Sequence, residues 1–164
     1  MGAAPLGVVI VLASVGLAGL AGAAQAPALR GSYHLVKRTL ADGTVIAPPA
    51  LEGFQTWTRE YRNFNVGWTD KDGKHVSISL IARYDMAGGK YCEHPVYWLA
   101  NNMGAPGLSY DWPKEKATEC SAVTTNGQKM TFAIKGEPVV VTIDANGMTA
   151  TAAGMFTDTW ERVH

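Results

Sequence analysis

Apolar and polar residues alternate along most of the chain that follows Gly31. Between Val76 and Tyr84 an apolar residue occupies every second position, and Ser77, Ser79 and Arg83 lie among the positions between. A period of two is typical of an antiparallel strand with one buried face. The same alternation, or short runs rich in β-branched and aromatic residues, predicts further strands at Ser32–Leu40, Gly53–Arg59, Arg62–Trp68, Tyr91–Ala100, Ala117–Thr124, Gln128–Lys135, Val139–Asp144, Met148–Ala152 and Met155–Val163.

Tight turns separate these predicted strands. The turn pairs are Asp42-Gly43, Asp72-Gly73, Gly88-Gly89, Asn126-Gly127 and Asn146-Gly147, and such pairs supply the positive φ angles that hairpins need. Consecutive hairpins predict an all-β domain, an up-and-down antiparallel β-barrel of about 8–10 strands, because a meander that closes on itself leaves no exposed edge. A β-sandwich is the alternative.

Two longer connections interrupt the pattern of strands and turns. One is Ala41–Glu52, which contains Pro48-Pro49, and the other is Asn101–Lys116. The second carries four large apolar or aromatic residues, Met103, Leu108, Tyr110 and Trp112. A loop of this length inside a compact domain is often a lid or a binding loop. The alternative is a surface loop that is anchored by its own aromatic side chains.

The N-terminal segment predicts export. Leu6–Leu20 is apolar and uncharged, the small-residue run Ala21–Ala26 follows it, and no charged side chain occurs before Arg30. We therefore expect a signal peptide at residues 1–24, cleaved after Ala23 or Ala24, and a single barrel domain at residues 30–164. The expected location is periplasmic or secreted, with no stable membrane span after cleavage. An uncleaved N-terminal membrane anchor is the alternative, because the segment before Leu6 has no Lys or Arg.

An exported chain with two cysteines is expected to form one disulfide, here Cys92–Cys120. The two Cα atoms should then lie within about 7 Å of each other. The alternative is a zinc site that adds His94 to the two thiolates. Because the chain has no C-x-x-C pair and the compartment is oxidising, the disulfide is favoured and no metal is predicted.

The charged residues narrow the classes of partner. The chain has 14 Lys+Arg and 14 Asp+Glu, so its formal net charge is zero, and it has no long basic run. This balance argues against nucleic acid as a partner. No glycine-rich phosphate loop, catalytic serine motif or H-E-x-x-H motif occurs, so no cofactor and no catalytic residue is predicted. The composition leaves the oligomeric state open.

Three short motifs carry a family resemblance. Gly31–Val36 resembles the opening strand of bacterial lipocalin-like domains, with Tyr33 where that family usually has Trp. Gly53–Trp57 is similar to the family's second strand, and Asp158–Val163 resembles its closing W-x-R strand. The resemblance implies a β-barrel with a cavity for an apolar small molecule, and a structural contact between Arg162 and Tyr33. It implies no particular reaction.

The candidate ligand-binding residues are aromatic side chains of the predicted strands and of the long loop, with two polar groups beside them. They are Trp57, Tyr61, Arg83, His94, Tyr97, Trp98, Tyr110 and Trp112. His94 is expected to share one strand face with Cys92 and Trp98. The competing interpretations are an ordinary aromatic core, a solvent-exposed Arg83 and a packed or hydrogen-bonded His94.

These patterns favour an exported lipocalin-like barrel that binds a small, largely apolar molecule, and they favour a binding protein over an enzyme. One alternative is a barrel enzyme, an isomerase, cyclase or hydrolase acting on a hydrophobic small molecule. The other is an envelope protein with a solid core whose outer surface binds another protein. A cavity of several hundred cubic ångströms separates the first two hypotheses from the third.

Overall fold

The computed structural model describes residues 29–111 and 118–163, and within these ranges it contains strands and no helix. The strands are β1 (Gly31–Leu40), β2 (Val45–Ile46), β3 (Leu51–Trp57), β4 (Tyr61–Thr69), β5 (His75–Ala87), β6 (Lys90–Asn101), β7 (Leu108–Asp111), β8 (Glu119–Ala122), β9 (Thr124–Asn126), β10 (Lys129–Ile134), β11 (Val139–Ile143), β12 (Gly147–Ala152) and β13 (Phe156–Val163). They form one antiparallel 13-stranded sheet. The predicted all-β class is confirmed.

The sheet is a meander that curls until its two sides meet. β1 pairs with both β3 and β13, so the beginning and the end of the domain are neighbours. On the other side, the segment 119–126 lies between β6 and β10, because β8 pairs with β6 and β9 pairs with β10. The predicted up-and-down antiparallel barrel is therefore confirmed. It has 13 strands where about 8–10 were expected, because β2 and β7 add short pairings to its rim and the segment 119–126 is divided into β8 and β9.

The predicted contact between the first and last strands is present. Tyr33 and Arg162 are cross-strand partners, and the Arg162 Nη2 donates to the Tyr33 hydroxyl at 2.7 Å. The guanidinium carbon of Arg162 lies 4.9 Å from the centre of the Tyr33 ring. Gly31 leaves room for this side chain, since a Cβ there would lie 2.4 Å from the Arg162 Nη1.

The predicted disulfide fastens the closing edge of the barrel. Cys92 of β6 and Cys120 of β8 are register partners, and they are bonded to each other with their Cα atoms 4.1 Å apart. Because both sulfurs are used in this bond, neither can act as a thiolate ligand for zinc.

Two predicted connections contain strand structure. Leu108–Asp111 forms β7 within the expected loop Asn101–Lys116 and pairs with the end of β6. β3 begins at Leu51, inside the expected connection Ala41–Glu52. In both places the sequence patterns were too short to be distinguished from loop.

The predicted signal peptide at residues 1–24 and the candidate residue Trp112 lie outside the described residues. In the part of the chain that the structure describes, no helix has the length and apolarity needed to cross a membrane.

Aromatic residues fill one end of the barrel, which we call the closed end. Trp57 lies with its ring centre 5.2 Å from that of Tyr84 and 6.2 Å from that of Phe132. Tyr91 stacks on Phe132 at 4.3 Å. The buried residues of the closed end are Tyr33, Trp57, Tyr84, Tyr91, Met130, Phe132, Ile143 and Trp160.

Candidate functional site

A cavity of about 720 Å³ occupies the other end of the barrel, which we call the cavity end. This volume lies in the range of small-molecule sites. Inward-facing residues of most strands form its wall, and apolar side chains predominate. The principal apolar lining residues are Phe64, Val66, Trp68, Ile78, Leu80, Trp98, Val139, Val141, Ala150 and Ala152.

A second depression of about 690 Å³ crosses the outer side of the sheet. Its lining includes His34, Phe54 and Asn65, which are not buried. Because ligand sites enclose most of a small molecule's surface, the interior cavity is the better candidate.

One buried ion pair lies on the cavity wall between β1 and β13. The Arg38 Nε donates to the Asp158 Oδ1 at 2.6 Å, and the Arg38 Nη2 donates to the Asp158 Oδ2 at 2.8 Å. A bulge between Leu35 and Lys37 turns Arg38 inward. The guanidinium carbon of Arg38 lies 4.0 Å from the centre of the Phe156 ring. Because two hydrogen bonds join Arg38 to Asp158, the charge of each residue is neutralised by that of its partner.

A second buried cluster, which we call the Arg62 cluster, joins one guanidinium to two carboxylates. The Arg62 Nη1 donates to Glu93 Oε1 at 3.1 Å and to Glu137 Oε1 at 3.0 Å, and its Nη2 lies 3.4 Å from Glu137 Oε2. The Tyr91 hydroxyl donates a hydrogen bond to the Glu93 Oε2. The Arg62 and Glu93 side chains are 3% and 4% exposed, whereas that of Glu137, in the turn between β10 and β11, is 35% exposed.

The electrostatics of the Arg62 cluster fix the protonation of two of its members. Burial by itself lowers the pKa of Arg62, but the Glu137 and Glu93 carboxylates outweigh burial and hold this pKa above its ordinary value. Burial raises the pKa of Tyr91, and the nearby Glu93 carboxylate raises it further. Arg62 is therefore charged and Tyr91 is neutral throughout the physiological pH range.

Two hydrogen-bond donors of the cavity wall lack a good acceptor. Among the described residues the Arg62 Nε has no hydrogen-bond partner. The Gln55 Nε2 only approaches the Met148 sulfur, at 4.0 Å, because the Gln55 Oε1 accepts from the Trp57 Nε1 at 3.1 Å. Arg62 and Gln55 are both 3% exposed, and both line the cavity. An acceptor atom within hydrogen-bond distance would satisfy either nitrogen, but the Arg62 Nε is covered in this packing, so the guanidinium would have to shift to meet it.

Trp98 is the candidate aromatic residue that the structure places on the cavity wall. Trp57 is instead buried among the rings of the closed end. Tyr61 and Arg83 lie on the outer face, where the Arg83 Nε donates to the Tyr61 hydroxyl at 3.0 Å. Tyr110 is 66% exposed. Their role in binding a ligand, with that of Trp112, stays a prediction.

A bulge in β6 separates two residues that were expected to share a face. Ala82 pairs with Pro95 but Ile81 pairs with Tyr97, so the strand carries one extra residue between them. Trp98 therefore points into the barrel beside Leu80, whereas His94 lies on the outer face beside Arg83 and Tyr97 beside Ile81. The expected common face of His94 and Trp98 is wrong, because a bulge inverts the alternation beyond it.

The sequence contains a pattern that identifies four of the five buried polar residues of the cavity, although none of them was among the candidates. Each lies two positions from a large apolar residue on the same strand, and therefore on the inner face. These pairs are Gln55 with Trp57, Arg62 with Phe64, Glu93 with Tyr91, and Asp158 with Trp160.

No protein-family model and no curated protein matches the chain. Among solved structures, the chain is similar to a lipocalin-like protein from Bacteroides uniformis ATCC 8492, at 14% sequence identity and a TM-score of 0.31. This similarity covers 82% of the present chain and 98% of the other chain.

Proposed function

We propose that this protein is an exported lipocalin-like barrel that binds a small, largely apolar molecule in the cavity end. The supporting observation is the difference between the two ends of one barrel. The closed end is packed with rings, whereas the cavity end encloses about 720 Å³ behind a mostly apolar wall. A cavity of this size argues against a solid-core envelope protein.

The chemistry of the cavity wall favours binding over catalysis. A general acid or base works best when its pKa lies near the working pH. The pKa of Arg62 and that of Tyr91 are both raised, and thus moved further from neutrality. Arg62 lines the cavity and can orient a ligand, but neither Arg62 nor Tyr91, which is buried at the closed end, exchanges protons at neutral pH.

The disulfide supports the exported location. Disulfides persist in the periplasm and outside the cell, and they are rare in the reducing cytosol. The Cys92–Cys120 bond therefore agrees with the signal peptide that the sequence predicts at residues 1–24.

The binding proposal can be tested with two adjacent residues of β11. Val139 lines the cavity, whereas Val140 is 45% exposed on the outer face. We expect Val139→Phe to occupy part of the cavity and to weaken the binding of a neutral fluorescent probe, N-phenyl-1-naphthylamine, by about tenfold or more. The matched control Val140→Phe should bind the probe as the wild type does.

The measurement is a fluorescence titration of the three purified proteins, together with native mass spectrometry of the exported wild type for a co-purifying small molecule. An equal loss of affinity in both variants would contradict a site inside the barrel. Absence of any probe binding and of any co-purifying molecule would overturn the proposed function.

A further inference from the structure

We propose that the cavity selects apolar ligands whose polar group is a neutral hydrogen-bond acceptor, such as an ester, ketone or amide oxygen, over carboxylates and amines. This inference rests on the proposed binding function and specifies the chemistry of its ligand. Three features of the cavity wall support it: the unused donors, the balance of charge, and the burial of the groups concerned.

The donors without a good partner favour a ligand that carries a hydrogen-bond acceptor. The Arg62 Nε and the Gln55 Nε2 lie on adjacent strands, since Trp57 pairs with Arg62 and Gln55 pairs with Phe64. Neither finds a good acceptor among the described residues. A buried donor left without a partner is costly. An oxygen atom of the ligand that met the Gln55 amide, or the covered Arg62 Nε after a small shift of the guanidinium, would remove that cost, and a pure hydrocarbon would not.

The balance of charge disfavours a carboxylate. Arg62 is shared between Glu93 and Glu137, so this cluster already has one negative charge in excess. Arg38, the other buried arginine of the wall, is fully matched by Asp158. A carboxylate brought to Arg62 would lie close to two others in a region of low dielectric, where like charges repel strongly.

An ammonium group is also a poor match. It would be drawn to Glu93 and Glu137, but it has no acceptor to offer the Arg62 Nε and would place a second cation beside that guanidinium. It would also lose its hydration on entering a largely apolar cavity. A neutral acceptor meets the unused donors without adding a charge.

Glu137 is the member of the cluster that can be changed with least disturbance to the fold. Its side chain is 35% exposed in a turn, whereas Glu93 is 4% exposed. Replacing Glu137 by Gln keeps the shape and removes the excess negative charge. The matched control is Glu161→Gln on the outer face, where the Glu161 side chain is 61% exposed beside His34.

The experiment compares three probes with one hydrocarbon chain on the delipidated exported protein: methyl dodecanoate, dodecanoic acid and dodecylamine. At about pH 8 the acid is ionised and the amine is protonated. We expect the ester to displace N-phenyl-1-naphthylamine with an affinity at least about tenfold higher than that of the acid or the amine. In Glu137→Gln the ratio of ester to acid affinity should fall to about threefold or less, and in Glu161→Gln it should stay at the wild-type value.

The possible outcomes separate this inference from the proposed function. Acid or amine binding as tight as the ester would overturn the inference and leave the binding function intact. An unchanged ester-to-acid ratio in Glu137→Gln would overturn the role of the Arg62 cluster in selection. If no probe and no fluorescent ligand binds, the inference fails, and if in addition no small molecule co-purifies, the proposed function fails as well.

Discussion

The two ends of this barrel are built from the same strands but with different side chains. At the closed end the inward positions hold rings such as Trp57, Tyr91 and Phe132, which fill the interior. At the cavity end the inward positions of β12 hold Ala150 and Ala152, whose small side chains leave space. Side-chain volume at the inward positions, rather than the course of the backbone, therefore decides where a barrel is filled and where it encloses a cavity.

The largest expected difference between the two ends is in the cost of removing a tryptophan. Trp57 is 2% exposed and contacts three rings, so Trp57→Ala should lower the free energy of unfolding by about 3–5 kcal/mol. Trp98 is half-buried on the cavity wall, so Trp98→Ala should cost about 1–2 kcal/mol. Urea denaturation of both variants measures the two values. Equal costs would mean that the cavity end is packed as tightly as the closed end.

The next largest expected effect is the loss of folding stability when the disulfide is removed. Cys92 and Cys120 are 28 residues apart in sequence, and closing a loop of that length stabilises a protein by about 3–4 kcal/mol in the chain-entropy model. We expect the double variant Cys92→Ser/Cys120→Ser to lose that amount in urea denaturation under non-reducing conditions. The control is the wild type in a reducing agent, which should unfold at the same urea concentration as the double variant. A loss below about 1 kcal/mol would contradict the stabilisation that the chain-entropy model assigns to this loop.

The sequence predicted the barrel because most strands keep one uninterrupted alternation. Val76 to Tyr84 is an example, with Val76, Leu80, Ala82 and Tyr84 buried on one face. The disulfide and the contact of Tyr33 with Arg162 were also predictable. The alternation is a local pattern of the chain, the disulfide is the pairing of its two cysteines in an exported protein, and the contact of Tyr33 with Arg162 is what the family resemblance implies.

The cavity was harder to predict because bulges and charge pairing decide which side chains line it. The bulge in β1 turns Arg38 inward, and the bulge in β6 separates Trp98 from His94. No local pattern marks either bulge. Arg62 and Glu93 do lie at inward positions of the alternation, but a charged residue is assigned to the interior only when an oppositely charged partner is known. Each of these residues has its partner on another strand, so no local pattern reveals the pair.

A third prediction compares the packing of the two ends within β11. Ile143 is fully buried at the closed end, so Ile143→Phe should force its neighbours apart and cost about 1–3 kcal/mol. Val139 borders the cavity, so Val139→Phe should cost less than about 1 kcal/mol although it adds more atoms. Thermal and urea denaturation of the two variants give the comparison. A larger loss of stability for the Val139 variant than for the Ile143 variant would contradict the assignment of the closed end and the cavity end.

The smallest expected effect is a loss of folding stability at alkaline pH, which the buried tyrosines of the closed end should cause. Burial raises the pKa values of Tyr33, Tyr84 and Tyr91, all at the closed end, and Glu93 raises that of Tyr91 further. In the unfolded chain a tyrosine ionises near pH 10. Above about pH 10 the unfolded state therefore holds fewer protons than the folded state, and the stability falls as the pH rises.

Tyr91→Phe removes one of these three groups, so it should weaken the alkaline loss. At neutral pH the variant should be less stable than the wild type by about 1 kcal/mol, because the hydrogen bond to Glu93 is lost. Between about pH 8 and pH 11 the wild type should lose about 1.4 kcal/mol more than the variant, so the two stabilities should become equal and then cross just below about pH 11. Lysine titration affects both proteins alike and cancels in the difference. Parallel stability curves from urea denaturation at several pH values would show that Tyr91 ionises as readily in the folded barrel as in the unfolded chain, and that the closed end is open to water.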